Sequence, residues 1–536
     1  MTVFDEFYQS AEKVPTQPFL HIPPQATASY GGISIDYTYS EALDEIQHLS
    51  RLYEEAGYGH GQRIAVLLDN RAEFFLHFHA LNKIGVSVVP VNSGFLEKEM
   101  SYVIEHSDAC LVLALPEHME KAKQALASID SDAALLDTLS MEKLPRATIG
   151  VKESQIDEMS EATVLYTSGT TGQPKGCMLN NDYFISLGQW YSDIPGYCQL
   201  TFGKERMLTP LPTVHMNALC TMMAMTMSGG CIIQLDRFHA SSWWDTVRES
   251  KATCLHYLGV IPAILLNQPE RPDDYVGDQI KFGFGAGVDP KHLQRFEDRF
   301  GFTLVEGWAM TETGCYVCIT TNVEPRHIGT RCVGKPYYPI EYRLVDEEGR
   351  EVNAGEPGEL LIRAKGDKPD KGFFSGYYKN EEETAKVWED GYFHTGDVLR
   401  VSDDGSFHFV DRRKNIIRRS GENIAAVEVE NVLFQSEHVA NCAVTPIYDE
   451  MRGEEVGVCL TLAKGASGDE TMADILFEYC SEKLVYYKVP AYFLFVPELP
   501  MTASQKIQRG EIKKLAAACI EKGDCIDFRD RKRARK

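Results

Sequence analysis

The stretch "TSGTTGQPKG", Thr167 to Gly176, concentrates groups able to hold an anion. Gly169, Gly172 and Gly176 let consecutive backbone amides turn toward one concavity. Ser168, Thr170 and Thr171 add hydroxyl donors, and Lys175 adds a fixed positive charge. Such a nest suits phosphate oxygens. A Walker A loop is excluded, because it needs four residues between its glycine and its Gly-Lys pair and a lysine that opens a helix. Here Pro174 precedes the lysine and biases Gln173 away from helix. A flexible linker would be uniformly polar, whereas the apolar run "ATVLY" ahead of this loop predicts a strand feeding into it.

The elements that must position the loop follow from the surrounding periodicity. "GQRIAVLLDNRAEFFLHFHALNKIGVSVVPVN" alternates a β-branched run, a helix-period stretch and a second β-rich run, the pattern of strand, helix and parallel strand. Similar runs at "HSDACLVLA", "RMLTPLP", "GGCIIQL", "ATCLHYL" and "KFGFGAG" extend the layering, with a helix predicted at "SSWWDTVRESK". The fold class is therefore α/β, with largely parallel sheets in a large N-terminal domain. From Val333 the texture changes to hairpins, predicting a small barrel-like β subdomain. Beyond Asp411 a fresh alternation begins, with helices at "AAVEVENVLFQSE" and "TMADILFEYCSEKL" and strands between them. We place the domains at 1–410 and 411–536, the second a small α+β unit.

The 536 residues are too many for one core. The 54 basic and 78 acidic residues give a net charge of −24, a balance that repels phosphate backbones and argues against a nucleic-acid partner. The basic tail "RDRKRARK", Arg529 to Lys536, reads as a solvated, disordered end. Fourteen scattered cysteines, and an N-terminus without the layout of a secretion signal, favour a reducing cytoplasm. No apolar run approaches the length of a membrane span. Cys315 and Cys318 have metal-ligand spacing but no second pair nearby, so they are expected to be filler thiols.

With those elements in view, "YTSGTTGQPKG" resembles the signature loop of the adenylate-forming superfamily, which includes acyl-CoA synthetases, firefly luciferases and nonribosomal adenylation domains. The other parts of that family's pattern follow in order over nearly the whole chain. "FGFGAGVDP" resembles the small-residue turn that lies against adenine, here Gly285, Ala286 and Gly287. "EGWAMTETG" resembles the aromatic-Gly-x-Thr-Glu motif. The resemblance implies that Thr167 to Gly172 and Lys175 hold the pyrophosphate end of ATP, that Trp308 stacks on adenine, that Thr311 bonds the α-phosphate, and that Glu312 ligates Mg²⁺. Asp397 and Arg412 would hold the ribose, Lys414 would be the hinge between domains, and Lys506 would be the catalytic lysine of the small domain. Ser420 and Gly421 would approach the pantetheine arm of coenzyme A. His215, in "LPTVHMNAL", resembles the residue that walls the acyl pocket and gates the thiol tunnel.

Among relatives the texture is most similar to crotonobetaine/carnitine-CoA ligases, through "DNRAEFFLHFHALNKIG", "RRKNIIRRSGENIAAVEVEN" and "YYKVPAYF". Thr213, His215, Met216, Tyr257, Gly283, Phe284, Glu306, Trp308, Ala309 and Thr313 are expected near the acyl group. Two readings of Glu306 stay open: it binds a quaternary ammonium, or it hydrogen-bonds backbone or the adenine amine. The chain departs from the family at Trp308, usually tyrosine, at Ala309, usually glycine, and at Gln505, usually glycine. The first two predict a shallow pocket floor and a short or compact acid. The expected activity is an AMP-forming acid–thiol ligation using ATP, coenzyme A and Mg²⁺, by a monomer or homodimer without integral membrane association. Alternatives are an aryl or medium-chain acid ligase, or a luciferase-like oxygenase. A nonribosomal module would carry an aspartate in the segment "PTVHMNAL" and a carrier domain after residue 510, and neither is present.

Overall fold

A computed structural model describes residues 1–167, 174–346, 348–419, 422–449, 452–501 and 507–534. Of the candidate residues, Ser168, Gly169, Thr170, Thr171, Gly172, Ser420, Gly421, Gln505 and Lys506 lie outside the described residues. The chain forms two compact units, one comprising Met1–Tyr342, Ile362–Phe393 and Gly405–Phe407, the other Arg343–Leu361, His394–Asp404 and His408–Lys536.

The first unit contains two sheets. In one, Arg63–Leu67 pairs in parallel with Ser87–Pro90 and with Leu111–Ala114, and the helix Ala72–Lys83 makes the crossover, as the alternating sequence predicts. All four residues of both Ser87–Pro90 and Leu111–Ala114 are buried, as strands covered on both faces must be. The same sheet continues through Glu161–Thr167 and Lys175–Asn180 to the short strand Gly376–Tyr377. Lys175 therefore opens a strand rather than a helix, in agreement with the exclusion of a Walker A loop. Thr167 and Lys175 are register partners, so the two strands deliver both ends of the glycine-rich loop to one place.

The other sheet carries Cys231–Gln234, Arg206–Thr209, Cys254–His256, Phe282–Gly285 and Thr303–Trp308 side by side, all parallel. In open parallel sheets ligands gather beyond the carboxyl ends of the strands. The candidate residues sit there: Thr213 to Met216 after the second of these strands, Tyr257 after the third, Ala286 and Gly287 after the fourth, and Ala309 to Glu312 after the fifth.

The second unit holds Val439–Asp449 against Gly453–Leu462 in a long antiparallel pair, with Tyr492–Phe495 parallel to the latter. Helices Ala426–Leu433 and Glu470–Lys483 close its core around Ile417, Val429, Val458, Leu476, Phe477 and Phe493. The tail requires a correction. Residues 529–534 are not a solvated end but a short helix, Arg529–Ala534, whose Lys532 is only 2% exposed. Its charges are matched by acids far back in the chain: Arg531 bonds Asp474 and Glu478, and Lys532 bonds Glu455. A charge run reads as solvated only while its partners are invisible. Among the described residues no helix is long and apolar enough to cross a membrane.

Candidate active site

Glu306 organises the first part of the site. Its strand runs beside Phe282–Gly285, with Gly285 and Glu306 in register, so its side chain reaches the turn that follows. Oε2 accepts from the backbone amides of Gly287 (2.8 Å) and Val288 (3.1 Å), and Oε1 accepts from the Tyr257 hydroxyl (2.6 Å). Burial pushes the carboxyl above its ordinary range, opposed by these three donors. They account for the buried acid without a ligand, which is the backbone-bonding reading and leaves nothing in the geometry that calls for a quaternary ammonium. The turn needs its glycines. Gly287 has φ +82°, and a Cβ on Gly285 would overlap the carbonyl and ring of Tyr257. Ala286 and Gly287 remain exposed, presenting bare backbone.

Six residues beyond Glu306, Glu312 is a second buried carboxylate. Its Oε1 accepts from the Tyr377 hydroxyl at 2.8 Å, and its backbone carbonyl accepts from the Phe374 amide. The Tyr377 ring lies 4.9 Å below the Lys175 ammonium, so a single tyrosine touches both charged candidates. Lys175 is also tied to Glu383 Oε2 (2.5 Å), and hydrogen bonds from Lys175 and Lys386 hold the Glu383 carboxyl down at about 2. Tyr377 was not foreseen, and no spacing rule singles it out. The Glu312 carboxylate is an oxygen ligand of the kind a hard divalent cation such as Mg²⁺ takes. Elsewhere, Asp69, Glu117 and His118 also converge, but Asp69 is bonded to His118 and Glu117 to Arg71.

The acyl-pocket candidates lie among aromatic rings. Half-buried Phe284 has Trp190, Tyr191 and His256 within 5.6–5.8 Å. His256 was also missed in the sequence. It is buried between the hydroxyls of Tyr191 and Thr221, each at 2.7 Å, and burial holds it neutral, with its pKa at about 4. Trp308 is buried at the end of its strand and Ala309 is exposed. Met216 is buried in van der Waals reach of Cys220, at the start of the helix that His215 precedes. Thr213 and Thr313 spend their hydroxyls on backbone carbonyls, those of Asp69 and Met310. Thr311 is half-buried, its carbonyl accepting from the Tyr183 hydroxyl. Cys315 and Cys318 are free thiols, with Cys315 3.9 Å from Cys220.

In the second unit, Asp397 is buried and meets Arg412 Nε at 3.1 Å. Next to them Asp411 uses both oxygens on its own chain, receiving the Arg412 and Val427 amides and the Asn415 side chain, and so anchors the start of the helix Ala426–Leu433. Lys414 falls in the turn Arg413–Asn415.

A model of the AMP-binding enzyme family matches residues 9–378, and one of its C-terminal domain matches residues 428–506. A crotonobetaine/carnitine–CoA ligase of Escherichia coli O45:K1 is 30% identical over 502 residues, covering 90% of this chain and 94% of that one. The structure of o-succinylbenzoate CoA synthetase from Bacillus subtilis with its acyl-adenylate intermediate superposes with a TM-score of 0.79 at 24% identity, over 96% of this chain and 98% of that one. The same synthetase with ATP and a magnesium ion gives 0.77 at 24%, over 95% and 99%. The chain belongs to the AMP-binding enzyme family of the adenylate-forming superfamily. Within it, the chain is an AMP-forming acyl-CoA synthetase.

Proposed function

We propose that this enzyme activates a short or compact carboxylic acid with ATP, through an acyl-adenylate, and transfers it to coenzyme A. The observation that carries the reading is the pair of buried acids on one strand and its extension: Glu306 holds the exposed Gly287 turn, and Glu312 lies under the strand that bears Lys175 and beside Tyr377. In this reading the Ala286–Gly287 backbone and Trp308 face adenine. Thr167 to Gly172 with Lys175 hold the pyrophosphate end, Thr311 the α-phosphate, and Asp397 with Arg412 the ribose. Glu312 would hold Mg²⁺, which supplies charge neutralisation on the phosphates.

A carboxylate attacking a phosphate brings two anions together, and at about 4 Å a unit pair repels by about 4 kcal/mol at an effective dielectric of 20. Lys506 is assigned the offsetting charge in the adenylation step. Lys414 then serves as the hinge of a division at 410/411, so that Ser420 and Gly421 replace Lys506 for thiol attack, with His215 at the tunnel. Met216, Tyr257, Phe284 and Ala309 line the acyl pocket, and the crowding of Phe284 by three rings favours a compact acid. The enzyme would work in the cytoplasm.

A betaine such as crotonobetaine or carnitine is the particular substrate that the curated relative suggests. With Glu306 committed to the turn, its ammonium would have to be met by aromatic faces. The test is ATP- and CoA-dependent AMP release across betaines, short aliphatic acids and aryl acids. Turnover confined to the small acids is expected. Preference for aryl or medium-chain acids would replace the substrate class, and ADP in place of AMP would overturn the mechanism.

A further inference from the structure

Tyr377 has no part in the chemistry above, yet it is built into the site more firmly than the groups that do. It is the register partner of Cys177, which stands two residues along its strand from Lys175, so Lys175, Cys177 and Tyr377 share one face of the sheet. Glu312 lies against that face. The Tyr377 hydroxyl donates to Glu312 Oε1 at 2.8 Å, and both residues are buried. The buried Cys177 thiol is the other neighbour, pushed well up first by its burial and then by the Glu312 charge. A thiol is a weak donor, which leaves the hydroxyl as the firm one. Tyr377 is itself held: its amide donates to Thr384 Oγ1 at 2.8 Å, the Tyr378 amide donates to the Gly176 carbonyl at 2.8 Å, and its ring packs edge-on against Phe374 at 4.9 Å. The Phe374 amide in turn donates to the Glu312 carbonyl at 2.9 Å, so the segment 374–378 grips Glu312 by main chain and by side chain.

We propose that Tyr377 is a positioning residue for the divalent cation: its hydroxyl fixes the orientation in which the buried Glu312 carboxylate serves as a ligand. The inference rests on the reading of Glu312 as the Mg²⁺ ligand. The terminal torsion of a glutamate has broad minima, so packing alone leaves the plane of its oxygens loosely set. A hydrogen bond to Oε1 removes that freedom. Carboxylates that ligate metals are commonly held in this way, and loss of the outer partner costs about 10–100-fold in metal affinity. The arrangement also permits a selective perturbation. Tyr377→Phe deletes the hydroxyl and keeps the ring that lies against Lys175 and Phe374.

The test measures binding of a non-hydrolysable ATP analogue to the full chain by calorimetry, in EDTA and again in saturating Mg²⁺. The ratio of the two dissociation constants is the gain in affinity that the cation confers, and it requires no turnover. Tyr377→Phe is expected to leave binding in EDTA within about twofold and to cut the gain about tenfold, or to erase a smaller one. The Mg²⁺ concentration that half-saturates ATP–pyrophosphate exchange should rise by about the same factor. An unchanged gain, or equal weakening with and without Mg²⁺, would overturn the proposal. Should Tyr377→Phe fail to fold, as judged by circular dichroism, Thr384→Val removes the acceptor of the Tyr377 amide and leaves the hydroxyl in place. A cut of about threefold in the gain is expected from that small displacement, and an unchanged gain would again overturn the proposal. A wild-type enzyme whose nucleotide affinity ignores Mg²⁺, or a Glu312→Gln variant that keeps the full gain, would instead refute the assignment of Glu312 on which this rests.

Discussion

In the first unit, Glu306 is held by two backbone amides and a tyrosine, and Glu312 receives a tyrosine hydroxyl. In the second, Glu455 lies between Arg419 and Lys532, and Asp397 meets Arg412. Hydrogen-bond donors without formal charge orient a carboxylate and leave its charge to act at a distance, whereas a cation cancels that charge. Away from the site the first unit pairs its buried or half-buried carboxylates with cations too, Glu205 with Lys281, Asp274 with Arg299 and Glu297 with Arg326, so uncharged donors mark Glu306 and Glu312 as a locality rather than the unit as a whole. The neutral style extends to buried histidines of the first unit, where His77 meets the Tyr53 hydroxyl and His256 meets Tyr191 and Thr221.

The largest expected effect tests that neutral style by acid. Burial holds His77 and His256 down at about 4 and His79 at about 3. An unfolded histidine titrates near 6.5, so below that pH the unfolded chain binds more protons and stability falls as pH drops from about 6.5 toward 4. The loss should reach several kcal/mol by about pH 4. Thermal unfolding followed at tryptophans of the first unit should show it, and a flat profile across that window would break the comparison.

Next in size, Glu455→Gln strands two buried cations and should destabilise the second unit by about 3–5 kcal/mol in denaturant titration. Lys506→Ala should slow ATP–pyrophosphate exchange by on the order of 10², because in the proposed reaction that lysine offsets the repulsion between the substrate carboxylate and the phosphate it attacks. Unchanged exchange would remove that lysine from the chemistry. Glu306→Gln strands uncharged donors only, and about 1–3 kcal/mol is expected, with a raised KM for ATP. If it costs as much as Glu455→Gln, the distinction between the two styles fails.

The smallest effect comes from Glu383, a carboxylate of the first unit that cations do hold, but near solvent. Its folded pKa of about 2 lies below the unfolded value, so its contribution is present above about pH 4.5 and is lost as pH falls toward 2. Screening keeps it small. Glu383→Gln should flatten that limb of the stability profile slightly and release Lys175.

The layered fold was legible because β-branched runs such as "RIAVLL" and "VSVVPV" are short, apolar and separated by helix-period segments, which local periodicity alone resolves. That Lys175 does not open a helix was legible from Pro174. What stayed hidden depends on partners distant in sequence. Tyr377 reaches Glu312 across 65 residues and Lys532 reaches Glu455 across 77, and no local pattern encodes either meeting. His256 was missed for a related reason: a lone histidine in an apolar strand reveals its role only when Tyr191 and Thr221 are seen on either side.

The close seating of Gly285 against Tyr257 also bears on attempts to redesign this enzyme for other acids. No side chain fits there, so the width of this turn is set by main chain and is not open to gradual adjustment. Libraries aimed at a new substrate range should keep that glycine fixed. They should draw their diversity from Phe284, Trp190 and Met216, where volume can be traded between neighbours.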